Sequence, residues 1–184
     1  TLPSTLETVG YGAFRSCAAL TEIELPEGLT TIEGWAFAFC GNLQSVALPS
    51  TLQSVGTYAF IDCAALERVV IPDNVAVGGY AFSGCTGLTM FRTGVGASVG
   101  EHAFYGCMAL REAVLGGNIG AYAFDGCTAL ETLNIERTVT SIGEHAFGDC
   151  TSLTEAVIPD TVTEMGSMVF SGCTNLTVYC EAAD

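Results

Sequence analysis

The chain has 184 residues, 49% of them hydrophobic, and it carries 20 acidic residues against five arginines and no lysine. Its formal net charge of −15 at pH 7 repels nucleic-acid phosphates and anionic lipid surfaces, which excludes both as partners. The apolar runs are too short to insert into a membrane, and the carboxylates lack the spacing of a calcium loop. We therefore predict no membrane insertion, no cofactor and no metal site.

A single sequence unit recurs along the chain. Eight phenylalanines mark it at spacings of 20 to 23 residues: Phe14, Phe37, Phe60, Phe82, Phe104, Phe124, Phe147 and Phe170. Cysteine follows each phenylalanine after three residues and leucine after six, which defines the template AFxxCxxLxxIxIPxxLxxIGxx. A period of this length is typical of solenoids. We predict one solenoid over residues 1–184, and we expect a piece of a longer protein because the first residues read as the middle of a unit.

Each unit divides into a strand and a return. The LxxIxI segment alternates with period two and is rich in β-branched residues, which predicts a short parallel strand, for example over residues 66–71. In the return, phenylalanine, cysteine and leucine recur every three residues, which favours a short helical or 3-10 turn with these side chains inside. Glycines such as Gly56, Gly100 and Gly143 follow an apolar residue, where we expect a turn with positive φ.

The cysteines form a column of their own. One cysteine per unit at a fixed position favours a ladder of buried, reduced thiols over pairwise disulfides, because the returning segments spread apart if the strands line a concave face. Cys180 lies outside this column. We place it at an outward position of the last strand, where it is the best candidate for a reactive thiol.

The pentapeptide GEHAF occurs twice and places His102 and His145 five residues before a cysteine. In the repeat alignment both histidines occupy a column that otherwise holds mostly tryptophan and tyrosine, two repeats apart. That separation is too large for shared metal ligation, and no repeat adds a nucleophile and base that the others lack. The pentapeptide is therefore repetition, and we predict that the protein is not an enzyme.

The template resembles the BspA-like, or treponemal-type, leucine-rich repeats. Residues 55–72, VGTYAFIDCAALERVVIP, match that pattern nearly in full, and the resemblance covers essentially residues 1–184. It implies an α/β repeat solenoid, a right-handed arc with a parallel β-sheet on the concave face and short helical or 3-10 turns on the convex face. It also implies adhesion or protein binding outside the cell or at its surface, without catalytic residues. An intracellular or organellar complex is the alternative location.

The middle of the array departs most from the template. Residues 116–120 lack three positions, and the interior positions of the fourth and fifth strands carry Phe91 with Thr93 and Ala113 with Leu115. Such departures are expected where function or curvature requires them, and neutral drift explains them equally well.

The outward strand positions contain a patch of apolar and charged residues. It comprises Arg68, Val70, Met90, Arg92, Glu112 and Val114. Methionine and arginine are enriched at protein interfaces, so this patch is the first candidate for a partner-binding site. A second candidate is the aromatic stripe, for which half-buried packing is the competing interpretation; it comprises Trp35, Tyr58, Tyr80, His102 and Tyr122.

Two classes of function follow. The first is a recognition or adhesion module that binds a host, matrix or other protein through the concave face, and the acidic charge favours a basic partner. The second is an architectural subunit that is permanently docked in a larger assembly.

Overall fold

The computed structural model describes residues 2–181, which form a stack of β-coils; residue 1 and residues 182–184 of the predicted solenoid lie outside the described residues. Each coil contains a longer strand and, in all coils but one, a short strand as well. The short strands are β1 (Thr8–Val9), β3 (Thr31–Ile32), β5 (Ser54–Val55), β7 (Ala76–Val77), β9 (Ser98–Val99), β12 (Ser141–Ile142) and β14 (Glu164–Met165). The longer strands are β2 (Glu22–Glu24), β4 (Ser45–Ala47), β6 (Arg68–Ile71), β8 (Met90–Thr93), β10 (Glu112–Leu115), β11 (Thr132–Ile135), β13 (Glu155–Ile158) and β15 (Thr177–Cys180).

The two sets of strands form two parallel sheets along the stack. On the long-strand face the order is β11-β10-β8-β6-β4-β2, followed by the pair β13-β15, which packs beside β11. On the short-strand face the order is β1-β3-β5-β7-β9, and single bridges through Ile119 connect β9 to β12 and β14. Every pairing joins equivalent segments of successive coils, so the repeat period sets the register of both sheets.

The phenylalanines form a continuous stack inside the coils, as the repeat predicts. Ring centroids of successive phenylalanines lie 4.9 to 5.4 Å apart, and the rings are within 12° of parallel. The six inner rings are completely buried, whereas Phe14 and Phe170 at the two ends are partly exposed. Burial contributes roughly 1.5–3 kcal/mol for each inner ring. The stack therefore contributes to the cohesion between coils along the whole array.

The returning segments contain no helix among residues 2–181, so the predicted helical or 3-10 turns are wrong. Two positions in each unit have positive φ, for example Trp35 at 61° and Phe39 at 62°, and an α-helix does not tolerate this. Instead, some backbone amides of the return donate to the next coil and others donate within their own coil. The N–H of Phe37 donates to Ala59 of the next coil, and that of Cys40 donates to Phe37 in its own coil. The return is thus a series of β-turns bonded to the neighbouring coil.

The template glycines serve close packing. Gly56 and Gly100 do not have the positive φ that we predicted. A Cβ atom on Gly56 would lie 2.5 Å from the backbone nitrogen of Gly34, and one on Gly100 would lie 2.7 Å from the carbonyl carbon of Gly78. Side chains at these positions would therefore force adjacent coils apart.

The cysteine column is a ladder of free thiols. Six of its members are completely buried, and they donate S–H hydrogen bonds as well as filling space. The thiol of Cys63 donates to the carbonyl of Phe37 (3.2 Å), and that of Cys85 donates to the carbonyl of Phe60 (3.2 Å). The thiols of five further residues make the equivalent bond: Cys40, Cys107, Cys127, Cys150 and Cys173. Each of these thiols therefore joins its coil to the preceding one.

Compensating side chains fill the uneven middle of the core. Phe91 is paired in register with Ala113, so a large residue faces a small one. The ring of Phe91 packs 3.9 Å from that of Phe104, measured between centroids. Thr93 is buried, and its hydroxyl accepts a hydrogen bond from the N–H of Gly116 (2.6 Å). The shortened fifth return thus closes without an unpaired polar group at this point.

Candidate functional site

The predicted binding patch lies on the long-strand face. The register pairs Arg68 with Met90 and Val70 with Arg92, so these side chains form two adjacent rows. Arg68, Arg92 and Val70 are exposed, and Met90 is half-buried. Val70 is 56% exposed, which is unusual for a valine within a sheet. The pairing of Glu112 with Met90 extends the first row into β10.

Val114 is an exception within this patch. It occupies the outward row beside Arg92 and Asn134, but it is only 9% exposed. Arg92 in β8 approaches Glu136, which follows β11, with 4.0 Å between Nη2 and Oε1. This ion pair crosses β10, the strand that carries Val114, and explains its low exposure. Val114 therefore packs beneath the exposed residues of the patch and offers a partner little contact area.

A groove borders the patch at the ends of β6 and β8. This central groove, with a volume of about 270 Å³, is lined among others by Val70, Asp73, Arg92, Val95 and Glu136. Val95 is 51% exposed, so two exposed valines flank the groove. A larger hollow of about 560 Å³ lies at the outer side of the first coil, where Phe14 and Leu20 are incompletely covered.

Hydrogen bonds to the preceding coil hold Val95 in place. Its N–H donates to Oδ1 of Asp73 (2.9 Å), and its carbonyl accepts from the N–H of Asn74 (2.9 Å). Sequence reasoning missed Val95, although a signal exists. The same column holds Glu27, Ser50, Asp73, Gly117, Arg137 and Asp160 in other coils, so valine is its one branched apolar member.

Cys180 does not lie where we predicted. Cys180 pairs in register with Ile158, an inward position, and Tyr179 pairs with the outward Val157. The last strand is thus shifted by one residue relative to the repeat alignment, which exchanges the faces of all its side chains. Cys180 is nevertheless exposed, because β15 has no further strand beside it among residues 2–181.

The aromatic stripe is a second stack of rings, parallel to the phenylalanines. Its centroids lie 4.5 to 5.0 Å apart from Trp35 through Tyr58, Tyr80 and His102 to Tyr122, and His145 continues it at 5.2 Å. All these side chains are half-buried. Because each ring covers the face of the next, the stripe presents ring edges to solvent and few free faces.

Carboxylates line the stripe. Nδ1 of His102 lies 3.3 Å from Glu101, and Nδ1 of His145 lies 3.6 Å from Asp125, but neither nitrogen makes a hydrogen bond. The carboxylate of Glu144 accepts from the hydroxyl of Tyr122 (3.4 Å) and raises the pKa of that tyrosine. Partial burial raises the pKa of Asp125.

The part of the chain that the structure describes has neither a cluster of metal-binding side chains nor a membrane-spanning helix. Within the described residues, no cluster of three or more histidine, cysteine, aspartate or glutamate side chains has the geometry to hold a metal ion. Nowhere between residues 2 and 181 is there a helix of sufficient length and apolar character to span a bilayer.

Two solved structures of similar proteins share this architecture. A T. pallidum leucine rich repeat protein is 25% identical, with a TM-score of 0.72, over 96% of this chain and 76% of that chain. A leucine-rich repeat protein from Eubacterium ventriosum is 23% identical, with a TM-score of 0.75, over 89% of this chain and 44% of that chain. One from Bacteroides ovatus is 27% identical, with a TM-score of 0.46, over 97% of this chain and 59% of that chain. The chain thus spans little more than half of the Bacteroides protein.

No curated protein matches the chain. The family model for the BspA type leucine rich repeat region does match it, in six copies, over residues 1–111 and 97–180. Together with the coil geometry, this match shows that the chain belongs to the BspA-type leucine-rich repeat family.

Proposed function

We propose that this chain is a non-enzymatic recognition or adhesion module that binds a partner protein reversibly through the long-strand face. The observation that carries the proposal is the central groove, where Val70 and Val95 are each more than half exposed beside the guanidinium of Arg92. Exposed apolar groups at a rigid, partly charged groove are typical of interfaces. The proposed binding residues are Arg68, Val70, Met90, Arg92 and Glu112, with Val114 as support and Val95 added.

The family supports this proposal at a coarser level. Leucine-rich repeat proteins are generally protein-interaction or adhesion modules and are generally not enzymes. The preorganisation of the groove supports it further, because both backbone groups of Val95 are bonded to the preceding coil and its presentation costs little ordering entropy on binding. The net charge of −15 favours a partner with a basic surface.

The test uses a double variant, Val70→Asp with Arg92→Glu. Both side chains are exposed, so the fold should survive, whereas Val114→Asp would place a charge at a buried position. Capture of purified serum and matrix proteins by the immobilised chain should fall at least about tenfold, since two central interface residues are lost. Val157→Asp with Arg111→Glu, on the same face but outside the patch, is the control. Equal capture by the patch variant and the wild type would refute the proposed site.

A permanently docked architectural subunit is the second candidate function. It predicts that the exposed side chains of Met165, Met168, Val178 and Tyr179 are buried against a neighbouring subunit. An obligate subunit purified alone should aggregate, and sedimentation velocity at several concentrations would detect this. A monodisperse monomer supports the recognition module.

We further propose a location outside the cell or at its surface, as the family resemblance implies, with an intracellular or organellar complex as the alternative. Immunogold labelling of cells with an antibody to this chain distinguishes the two.

A further inference from the structure

Two exposed aromatic residues break the repeat pattern at one corner of the first two coils. Tyr11, 68% exposed, occupies a column that has small, polar or acidic residues in the other coils: Gly34, Thr57, Gly79, Glu101, Ala121, Glu144 and Ser167. Phe39, 38% exposed, occupies a column of small or acidic residues: Ser16, Asp62, Gly84, Gly106, Gly126, Asp149 and Gly172. Because the other coils serve as internal controls, the fold does not require an aromatic ring at either position.

Phe39 also has an unfavourable backbone conformation. Its φ is 62°, in the left-handed region, where a bulky side chain is strained and where four of the other coils use glycine. The strain lowers stability, and a partly exposed apolar ring gains little burial energy in return. The coincidence of strain and exposure at one residue points to a role outside folding.

Both departures lie close to Trp35 in the second coil. The guanidinium of Arg15 lies 4.7 Å above the ring of Trp35 and 5.5 Å from that of Phe39, and the two rings lie 6.0 Å apart. Tyr11 lies beside Gly34, the residue before Trp35, and its N–H donates to Glu33 (2.7 Å). Tyr11, Arg15, Trp35 and Phe39 therefore form one surface, the aromatic corner.

The charge of Arg15 remains free at this corner. Arg92, Arg111 and Arg137 each pair with a carboxylate, whereas no carboxylate of residues 2–181 lies within 4.0 Å of Arg15 or of Arg68, and only Arg15 lies at this corner. A guanidinium held over an aromatic ring by a cation–π contact still has N–H groups available to donate to a planar anion.

We propose that the aromatic corner binds a protein segment that presents a carboxylate next to an apolar side chain. The carboxylate accepts hydrogen bonds from the edge of Arg15, and the apolar side chain packs on Phe39 and Tyr11. This surface is distinct from the central groove, so either site can fail its test without affecting the other.

A displayed library of random twelve-residue peptides, sorted on the whole chain, tests this proposal. Peptides with aspartate or glutamate next to an aromatic or aliphatic residue should be enriched. Their affinity should fall at least about tenfold in Arg15→Gln and in Phe39→Asn, because asparagine tolerates the left-handed backbone and keeps the turn. Arg111→Gln, which removes an equally exposed arginine on another surface, is the matched control and should bind normally.

Trp35 is the one tryptophan of the chain, so its fluorescence reports directly on the corner. It should change saturably with the enriched peptides, and thermal unfolding of each variant verifies the fold. Enrichment of basic peptides, no enrichment, no Trp35 response, or binding that is insensitive to Arg15→Gln would each overturn the proposal. Displacement of the peptides by inorganic phosphate, without enrichment of an apolar residue next to the carboxylate, would overturn the proposal that an apolar side chain packs on Phe39 and Tyr11.

Discussion

At the scale of single residues, the thiol ladder gives the fold a dependence on alkaline pH. Burial raises the pKa of Cys63 to about 12 and raises the pKa values of Cys85, Cys107 and Cys127 above their ordinary range. The unfolded chain ionises its thiols near pH 8.5, whereas these four stay protonated in the folded state. A raised folded-state pKa contributes stability below the unfolded pKa, and this contribution decreases as the pH rises toward the folded pKa.

We therefore expect the free energy of unfolding to fall steeply between about pH 9 and pH 11, by about 1.4 kcal/mol per pH unit for each buried thiol. Urea unfolding at pH 7, 9 and 10.5 in the presence of a reductant measures this. Cys63→Ala should reduce the pH dependence of the free energy of unfolding by the contribution of one thiol. The substitution should also lower the free energy of unfolding at pH 7 by about 1–3 kcal/mol. A flat profile above pH 9 would show that the thiols are accessible in the folded state.

At the scale of elements, the β-turns of the return explain why sequence reasoning predicted the strands well and the turns badly. Period-two alternation is specific to strands, so segments such as Arg68–Ile71 could be predicted. A three-residue spacing of buried side chains is shared by a helical turn and by consecutive β-turns. The distinguishing signal was the column of Gly84, Gly106 and Gly126, each of which has positive φ.

A matched glycine pair isolates this backbone requirement. A Cβ added to Gly106 or to Gly41 meets nothing within 4 Å, but only Gly106 has positive φ, at 69°. Gly106→Ala should lower the free energy of unfolding by about 1 kcal/mol from backbone strain alone. Gly41→Ala should leave it unchanged or raise it by less than about 1 kcal/mol. Thermal unfolding measures both, and equal effects would mean that φ does not decide stability here.

At the scale of the whole molecule, stability is distributed along a stack in which each coil contacts only its neighbours. Phe82 is completely buried between Phe60 and Phe104, whereas Phe170 at the last coil is partly exposed. The loss in the free energy of unfolding caused by a cavity should therefore depend on the position of the coil in the array.

Phe82→Ala should cost about 3–5 kcal/mol and uncouple the two halves of the array, because the stack is interrupted on both sides. Phe170→Ala should cost less than half as much. Urea unfolding followed by hydrogen exchange of the coils on each side measures this, with two transitions expected for Phe82→Ala alone. Similar losses in the two variants would indicate that the chain unfolds as one indivisible unit.

The proposed binding patch was predictable to the extent that it follows the repeat. Register placed Arg68, Val70 and Arg92 on one face, as the alignment predicted. The low exposure of Val114 was not predictable, because it depends on an ion pair that crosses a strand between residues 44 positions apart, Arg92 and Glu136. The one-residue shift at Cys180 was not predictable either, since no further coil within residues 2–181 enforces the register there.

The alternating amides of the β-turns have an electrical consequence. In each return, the N–H groups that bond between coils, such as those of Trp35, Phe37 and Phe39, all point toward the following coil. Their peptide dipoles add along the axis of the array, as they do in an α-helix, although residues 2–181 contain no helix. Within residues 2–181, the carbonyls of Tyr11 and Ala13 in the first coil have no donor, so they form the negative end of this column. The amides of Glu33 and Gly56, on the short-strand side, donate to the preceding coil instead, so the dipoles on that side of each coil oppose those of the return.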